Sequence, residues 1–512
     1  MDSCDSNKRV AIIGAGPSGI VAAKECLADG LKPTVYEKEG DIGGLWNPKT
    51  GATWRGMQTN LSRFSCSFSD FPWPSSSPEF PTQQQFYEYF CDYITHFSLQ
   101  GYFQFNTKII KIKRGQNSWD VTSIQENNEK TEKFDFVIIA TGVFSKRYFP
   151  NIPEKNSFKG TILHSLDYKD SREIKGNKII VIGGSYSGVE ISSDLAKIGK
   201  KVINIIKNPI WIMPRYIPDK SLKGEPKLPL DLCFFKGRRP TTEVQGGEDI
   251  WKAKNNFFNN ISNQGEVCSD LKIEDFKQPS KIAITSEYLD QIKCGNIKVI
   301  KEEIVSYNEE GVVMKNGGHE SADTIIIATG YLLDLPFFEQ DILDTISFDP
   351  NDQIQPTLLY KCTFHPDLKN MAFIGIYKGP FIGLSELQAR WITSVWSNKQ
   401  DLPSEEVMLR GLETEKRIRE NVPRPQFAHG DYVAMAGSLA QEINVNPNYE
   451  ELKTSDPELY DKLLNYALIP AHYRLKGNGK NVELALKQIE EVVNVTKKYI
   501  NEAKAKTEKT DQ

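Results

Sequence analysis

The sequence predicts an α/β fold in which two parallel-sheet units of one design are nested in a single chain. Two glycine-rich turns, at 14–19 and 183–188, each follow an apolar strand and precede a segment compatible with a helix. Two further segments, EKFDFVIIATG and SADTIIIATGY, pass from an acidic residue through β-branched residues into Ala-Thr-Gly. Such apolar runs are typical of strands buried on both faces. The order turn, ATG, turn, ATG therefore predicts that one unit is inserted into the other.

The bulk composition excludes several classes of protein. The 512 residues are enough for two or three domains. With 39% hydrophobic and 25% charged residues and a net charge of -4, the chain is globular and has no basic excess for nucleic acid. The sequence contains no apolar run of about 18 residues, so it predicts no membrane span. Its first ten residues, MDSCDSNKRV, lack the features of a signal peptide. Histidines and cysteines without paired spacing predict no metal site, no disulfide framework and no reductase cysteine pair.

The first glycine-rich turn, GAGPSG, lies in a complete strand–turn–helix–strand unit. Gly14 permits the tight turn, Gly16 lets the backbone approach a pyrophosphate, and Gly19 lets the helix pack closely on the strand. The N-terminus of the helix then faces the phosphate charge. Glu37 lies 23 residues after Gly14, where it can accept hydrogen bonds from a ribose diol. The unit predicts an FAD-type site, to which DIGGLWN (41–47) adds two glycines that allow close ligand approach.

The second turn, GGSYSG, lies in a similar unit, with Ser185 in place of the second glycine. Lys207 stands 24 residues after Gly183, at the strand end that carries the acid in the first unit. An acid at this position binds a free 2′-hydroxyl, whereas a cation accommodates a 2′-phosphate. The second site is therefore predicted to bind NADPH rather than NADH, and Arg215 is a candidate to assist Lys207.

The motif order predicts two Rossmann-like dinucleotide-binding domains. Residues 1–164 and 331–512 are expected to form the FAD-binding domain, and residues 165–330 the inserted NADPH-binding domain. The polar region from about 215 to 300 is too long for a plain loop and predicts a helical insertion.

Over nearly its whole length the sequence resembles the class B flavin-containing monooxygenases, in particular their N/S-oxygenating group. The segments GAGPSG, DIGGLW, QTNLS, SDFPWP, GGSYSGVE and the second ATGY stand in family order. FKGTILHSLDY fits the fingerprint FxGxxxHxxx(Y/F) through Phe158, Gly160, His164 and Tyr168. Related Baeyer–Villiger enzymes usually end this motif with tryptophan. We expect His164 to act at the domain junction as a hinge and packing element rather than as an acid–base catalyst.

The resemblance implies an activity that depends on FAD, NADPH and O2. NADPH reduces FAD, NADP+ stays bound, and O2 forms a flavin C4a-hydroperoxide that oxygenates an amine nitrogen or a sulfide sulfur. Water must be excluded from this site. Three alternatives stay open: a Baeyer–Villiger monooxygenase, a keto-acid-decarboxylating monooxygenase, and an NADPH oxidase that releases peroxide.

The resemblance also implies the site residues. Asn60 matches an asparagine that lies over the flavin, and Tyr186 a tyrosine near the nicotinamide and substrate; both are the candidate catalytic residues. The residues expected to contact FAD are Gly14, Gly16, Pro17, Ser18, Gly19, Glu37, Lys38, Gly44, Leu45, Trp46, Thr59, Asn60 and Gln388. Those expected at the NADPH site or between the two cofactors are Gly183, Ser185, Tyr186, Ser187, Gly188, Lys207, Arg215, Thr329 and Gly330.

The expected partners are small molecules. They are an amine or sulfide substrate and, as one option, a second copy of the chain in a homodimer. Animal microsomal members of the family often end in a hydrophobic anchor, whereas this sequence ends in KAKTEKTDQ. The hydrophilic end predicts a soluble, cytoplasmic protein, with peripheral membrane association left open.

Overall fold

A computed structural model describes residues 8–218, 226–237, 247–379, 382–429 and 431–510. Most strands are short, and those of the two main sheets are the most apolar. In chain order the strands are β1 (Arg9–Ile13), β2 (Lys32–Tyr36), β3 (Phe103–Gln104), β4 (Lys108–Arg114), β5 (Trp119–Gln125), β6 (Asn128–Phe134), β7 (Phe136–Ile139), β8 (Lys146–Arg147), β9 (Thr161–His164), β10 (Lys178–Ile182), β11 (Lys201–Ile206), β12 (Trp211–Met213), β13 (Tyr216–Pro218), β14 (Lys227–Pro229), β15 (Ile282–Ile284), β16 (Ile297–Lys301), β17 (Ile304–Tyr307), β18 (Gly311–Met314), β19 (His319–Ser321), β20 (Thr324–Ile327), β21 (Tyr331–Leu332) and β22 (Met371–Phe373).

The helices are concentrated in the second half of the chain. In order they are α1 (Pro17–Ala28), α2 (Gln83–His96), α3 (Tyr186–Lys197), α4 (Leu230–Phe234), α5 (Glu248–Ser262), α6 (Gln264–Val267), α7 (Tyr288–Lys293), α8 (Gln340–Thr345), α9 (Ile382–Trp396), α10 (Glu405–Glu420), α11 (Tyr432–Glu442), α12 (Tyr449–Ser455), α13 (Pro457–Asn465) and α14 (Val482–Thr510). Within the described residues, no helix has both the length and the apolarity needed to cross a membrane.

The first main sheet is parallel, with strand order β22-β7-β1-β2-β3. Its central strands are apolar and buried on both faces, as the sequence predicted. One face is covered by α1, which packs against the almost completely buried helix α9. The carboxyl ends of β1, β2 and β7 meet at one edge of the sheet, which therefore holds the first glycine turn, Glu37 and the first ATG segment.

The second main sheet repeats this design, with strand order β16-β11-β10-β20-β9 and parallel pairing throughout. Each domain also carries a three-stranded antiparallel sheet before its ATG strand, β4-β5-β6 in the first and β17-β18-β19 in the second. The fifth strand of the first sheet is β22, which follows the second sheet in the chain. The order of the strands thus agrees with an inserted second domain.

Two details differ from the sequence prediction. The predicted border at 164/165 assigns β9 to the first domain, but Thr161–His164 pairs with β20 in the second main sheet. The second domain therefore begins before residue 165. The insertion between β11 and β16 is mixed rather than helical: besides α4 to α7 it contains the short pairs β12–β15 and β13–β14. Its first strand begins at Trp211, and β16, at Ile297, already belongs to the main sheet. Part of the insertion lies outside the described residues.

Candidate active site

The first glycine turn is enclosed by backbone. Gly14 has φ +109°, and a Cβ at this position would lie 2.6 Å from the carbonyl oxygen of Ala140, at the end of β7. A Cβ on Gly19 would lie 3.0 Å from the carbonyl carbon of Gly14 and would overlap its oxygen. Gly16 is the N-cap of α1 and Pro17 its first residue, so no side chain caps this helix. The turn requires glycine and leaves a helix N-terminus open to a phosphate.

Glu37 lies directly after β2 and is buried. Its carboxylate accepts hydrogen bonds from the backbone N–H groups of Ala15, at 2.8 Å, and Glu39, at 2.9 Å. Burial raises the pKa of Glu37 above its ordinary value, although both N–H groups favour the carboxylate. The bond to Ala15 fixes the acid beside the glycine turn, where its remaining lone pairs can accept from a ribose. Lys38, by contrast, is exposed and lies 3.8 Å from Glu39.

The segment DIGGLWN covers the same turn. Gly44 has φ +50°, and a Cβ on it would lie 2.9 Å from the Cα of Gly16. The following Leu45 and Trp46 are half-buried, and the Trp46 ring packs on Phe86 with centroids 4.3 Å apart. Two glycine backbones therefore face each other, which is the close approach expected around a pyrophosphate.

Three polar groups of the predicted site lack a hydrogen-bond partner among the described residues, and one of them, Thr141, lies against Gly14. The hydroxyls of Thr59 and Thr141 are buried without a hydrogen bond. The half-buried amide of Asn60 makes no hydrogen bond to another described residue. Buried polar groups in proteins are normally paired, so unpaired groups beside a glycine cradle fit a polar ligand. The side chains and the backbone at this edge are therefore compatible with FAD.

The second glycine turn has the same construction. Gly183 has φ +125° and a Cβ there would lie 2.9 Å from the carbonyl carbon of Ala328, at the end of β20. A Cβ on Gly188 would lie 2.7 Å from the carbonyl carbon of Gly183. Ser185, the N-cap of α3, is exposed and its hydroxyl does not cap the helix, and Ser187 is half-buried in the first turn. This helix N-terminus is also open to a phosphate.

The two candidate catalytic segments meet at one hydrophobic cluster. Leu61, which follows Asn60, and Tyr186, which begins α3, both pack against a cluster that includes Trp211, Met213 and further residues of the insertion. Burial raises the pKa of Tyr186, so its hydroxyl stays protonated at neutral pH. Since QTNLS belongs to the first domain and α3 to the second, the fold brings residues about 125 positions apart to the junction of the domains.

Lys207 occupies the predicted place, one residue beyond the end of β11. Its side chain is 72% exposed and its ammonium lies 2.9 Å from a carboxylate oxygen of Glu303. Lys315 lies 3.5 Å from the other oxygen of Glu303, which the sequence analysis did not anticipate. Exposed ion pairs of this kind are weak, so Lys207 can exchange Glu303 for a 2′-phosphate.

We expect replacement of Lys207 by alanine to raise the KM for NADPH about tenfold and to leave the KM for NADH nearly unchanged. A hydrogen bond to a charged group contributes about 1.5–3 kcal/mol, and about 1.4 kcal/mol is tenfold in affinity; exposure favours the lower end. The measurement is steady-state oxidation of both nucleotides. The matched control is Lys201→Ala, at the opposite end of the same strand, which should change neither KM. An equal loss for NADPH and NADH would contradict the role of Lys207.

Arg215 is engaged inside the protein. It is buried, its Nε donates to the carbonyl oxygen of Thr59 at 3.0 Å, and its terminal nitrogen lies 3.4 Å from Glu190 of α3. The guanidinium therefore joins the segment before Asn60 to the helix that begins at Tyr186. These contacts favour a role of Arg215 at the domain junction over the predicted role beside Lys207.

His164 connects β9 to the second ATG segment. Its Nδ1 accepts from the backbone N–H of Leu166 at 3.1 Å, so Nε2 carries the proton and donates to the carbonyl oxygen of Gly330 at 3.2 Å. Burial lowers the pKa of His164, which keeps the ring neutral. The neighbouring Thr329 donates to the carbonyl oxygen of Tyr148 at 2.7 Å. Both ring nitrogens are thus used within the protein, an arrangement that favours a structural role at the junction.

The rest of the fingerprint consists of packing contacts. A Cβ on Gly160 would lie 2.5 Å from the carbonyl oxygen of Asp323 and would overlap the ring of Phe158. Tyr168 is fully buried; its hydroxyl donates to Asp194 of α3 at 2.6 Å, and its ring contacts Trp54 with centroids 5.6 Å apart. Because Trp54 belongs to the first domain, Tyr168 packs between the two domains.

Gln388 is engaged inside the protein rather than open to a flavin. Its amide nitrogen donates to the carbonyl oxygen of Cys362 at 3.0 Å and to the hydroxyl of Thr363 at 2.9 Å, and its oxygen accepts from the N–H of Gly375 at 3.0 Å. Both amide hydrogens are therefore used, so the structure favours a supporting role under the Gly375 segment. Ser18, in the first turn of α1, also reaches α9, through Ser385 at 3.1 Å.

Asp231 is a residue that sequence reasoning missed. It lies on α4 of the insertion, is completely buried, and accepts hydrogen bonds from Ser62 through N–H, at 3.1 Å, and Oγ, at 2.5 Å, and from Ser65 Oγ at 2.7 Å. Burial raises the pKa of Asp231 although these bonds favour its carboxylate. The insertion thereby fixes the segment that follows Asn60. Nothing in the sequence indicated this pairing, because the partners are 166 or more positions apart.

Comparisons with known proteins agree with this geometry. A family model described as flavin-binding monooxygenase-like matches residues 7–510. Flavin-containing monooxygenase 5 of Oryctolagus cuniculus is 31% identical, over 93% of this chain and 90% of that protein. Dimethylaniline monooxygenase [N-oxide-forming] 2 of Macaca mulatta is also 31% identical, over 92% of this chain and 89% of that protein.

Solved structures share the fold. S-allyl-L-cysteine S-oxygenase from Allium sativum aligns with a TM-score of 0.63 and 20% identity, over 95% of this chain and 98% of that one. Cyclohexanone monooxygenase from Rhodococcus sp. Phi1 bound to NADP+ aligns with a TM-score of 0.63 and 17% identity, over 86% and 98% of the two chains. At such identities the likeness extends to the fold alone.

Proposed function

Because this chain belongs to the flavin-binding monooxygenase-like family, we propose that it transfers one oxygen atom of O2 to an amine nitrogen or a sulfide sulfur, with NADPH as reductant. FAD, when bound, accepts a hydride from NADPH and makes O2 reactive toward soft nucleophiles. The observation that carries the proposal is the amide of Asn60, which makes no hydrogen bond to another described residue. Asn60 is half-buried and precedes Leu61, which packs against the same apolar cluster as Tyr186, the first residue of the helix after the second glycine turn.

The residues of the chain have distinct roles in this proposal. The first glycine turn and Glu37 hold the pyrophosphate and a ribose of FAD. The second turn and Lys207 hold NADPH. Asn60 offers a donor and an acceptor without adding charge, which suits the orientation of a reactive group at the flavin. The apolar cluster behind Leu61 and Tyr186 keeps water away from that group.

The names of the relatives support the choice of substrate class. One relative is named for N-oxide formation and one structural neighbour for S-oxygenation. The fingerprint ends in Tyr168 rather than in the tryptophan of Baeyer–Villiger enzymes. A cytosolic location belongs to the same proposal, and it agrees with the absence of a disulfide among the seven described cysteines.

The test is the balance of products per NADPH consumed. We expect the FAD-loaded protein to form about one N-oxide or sulfoxide per NADPH with trimethylamine or methyl p-tolyl sulfide, and little H2O2. Cyclohexanone serves as the comparison substrate. Lactone without N- or S-oxide would identify a Baeyer–Villiger enzyme, and stoichiometric H2O2 with every substrate would identify an NADPH oxidase. Either result would overturn the proposal.

A further inference from the structure

Three ligand-type side chains converge outside the dinucleotide sites. Cys362 lies in a largely buried turn between α8 and β22, Glu415 lies on α10, and His429 lies in the segment before α11. The Nε2 atom of His429 is 2.7 Å from Oε2 of Glu415 and 3.3 Å from Sγ of Cys362. Cys362 and Glu415 are buried, and the His429 side chain is 15% exposed, which leaves a path from solvent.

A neutral imidazole leaves one of these contacts weak. Both Oε2 and Sγ approach the same ring nitrogen, while Nδ1 lies farther from the sulfur, at 3.9 Å. A single N–H on Nε2 can point at only one of two acceptors. The shorter contact assigns that proton to Glu415, which leaves the sulfur of Cys362 without a strong partner on this nitrogen.

The distances and the charges suit a divalent metal ion. With Zn–S bonds of about 2.3 Å and Zn–N and Zn–O bonds of about 2.0 Å, tetrahedral zinc separates S from N by about 3.5 Å and N from O by about 3.3 Å. The present separations are 3.3 Å and 2.7 Å, so binding requires them to grow by about 0.2 and about 0.6 Å. A thiolate, a carboxylate and a neutral imidazole carry two negative charges, which a divalent ion neutralises in a buried place.

A second cluster in the same domain provides a contrast. Glu25, Asp70 and Glu386 also converge, but the guanidinium of Arg474 lies among them at 3.3, 3.1 and 2.6 Å. That cluster already contains its cation. Around Cys362, Glu415 and His429 no lysine or arginine of the described chain forms a hydrogen bond or an ion pair with the three ligand atoms.

We propose that Cys362, Glu415 and His429 bind one Zn2+ ion. Thiolate, imidazole and carboxylate are the ligand types that zinc prefers. The amide nitrogen of Gln355 donates to Oε2 of Glu415 at 2.7 Å and so orients this carboxylate from outside, as is usual around metal ligands. Water occupies the fourth position, on the exposed side of His429.

The ion fastens two helical segments to the flavin domain. The carbonyl oxygen of Cys362 accepts from Gln388, whose own oxygen holds the N–H of Gly375. Glu415 and His429 belong to the segment from α10 to the start of α11. Zinc would therefore connect α10, through Cys362, to Gln388 and the Gly375 segment. Loss of the ion should lower the thermal stability of the protein, although none of the three ligands takes part in the proposed reaction.

Metal content of the whole protein tests this site independently of the activity. We expect about one zinc per chain by plasma mass spectrometry after growth with zinc and desalting, and less than about a tenth for Cys362→Ser and His429→Ala. The matched controls are Cys294→Ser and His96→Ala, two exposed residues of the same types, which should keep their zinc. Retained FAD and an unchanged circular dichroism spectrum show that each variant is folded.

Cobalt substitution tests the site in the wild-type protein itself, so a variant that fails to fold does not decide the result. Co2+ added to the metal-free wild-type protein should produce a thiolate-to-cobalt charge-transfer band, which Cys362→Ser should lack. A folded wild-type protein that binds neither Zn2+ nor Co2+ would refute the site. Cobalt binding without a thiolate band, or zinc retained in folded Cys362→Ser and His429→Ala proteins, would do so as well.

Discussion

Replacing Gly19 with alanine should abolish FAD binding. The added Cβ overlaps the carbonyl oxygen of Gly14, a backbone atom that cannot move without opening the turn. Overpacking typically costs about 1–3 kcal/mol, and here it displaces the helix N-terminus from the ligand that it faces. We expect the purified variant to carry less than about a tenth of the FAD of the wild-type protein, measured by flavin absorbance per chain, and to have no NADPH oxidation activity.

The chain provides a matched partner for this substitution. Gly188→Ala produces the same clash in the second domain, where the Cβ would lie 2.7 Å from the carbonyl carbon of Gly183. This variant should keep its FAD and lose reduction of the flavin by NADPH. Gly101→Ala, where the Cβ meets nothing within 4 Å, should behave like the wild-type protein. Full FAD occupancy in Gly19→Ala would show that the first turn is not the FAD cradle.

Replacing Asn60 with alanine should separate NADPH oxidation from product formation. Removal of one positioned hydrogen-bonding group in an active site typically costs about a hundred- to thousandfold in rate. We therefore expect oxygenated product per NADPH to fall at least about tenfold, with H2O2 accounting for the difference. The measurement is the ratio of product and H2O2 to NADPH consumed, with trimethylamine as the substrate.

The substitution of Asn60 should change coupling without changing the stability of the protein. Its amide makes no hydrogen bond to another described residue, so its removal breaks no hydrogen bond among them. The melting temperature and the FAD content should therefore stay near those of the wild-type protein. The control Asn128→Ala, at the exposed start of β6, should keep its coupling. Unchanged coupling in Asn60→Ala would remove Asn60 from the proposed mechanism.

The motifs of the two nucleotide units could be predicted because they depend on residues close together in the sequence. Gly14 and Gly183 have φ of +109° and +125°, which few residues other than glycine adopt. Glu37 and Lys207 follow at fixed distances because a helix and a strand of set length separate them from the turn. The family and the parallel sheets were therefore predicted from the sequence, and the structure and the comparisons agree; both glycine turns lie at the predicted strand ends, and their ligands stay predictions.

The contacts between segments far apart in the chain could not be predicted from the sequence. Gln388 was assigned to the flavin side, yet its amide hydrogens are taken up by Cys362 and Thr363. Arg215 was assigned to a phosphate, yet it joins Thr59 to Glu190. A polar side chain in a sequence does not reveal its partner when the partner lies on another element.

The sequence by itself determined the two cradles, their order and the family, because backbone conformation and the spacing within a strand–turn–helix unit depend on neighbouring residues. Only the tertiary structure decided that Asp231 supports the Asn60 segment and that Cys362, Glu415 and His429 meet, although histidine and cysteine spacing had predicted no metal site. Those contacts join residues that lie from 14 to 169 positions apart. Which of many such polar side chains meet depends on how the elements pack, and packing leaves no periodic or local pattern in the chain.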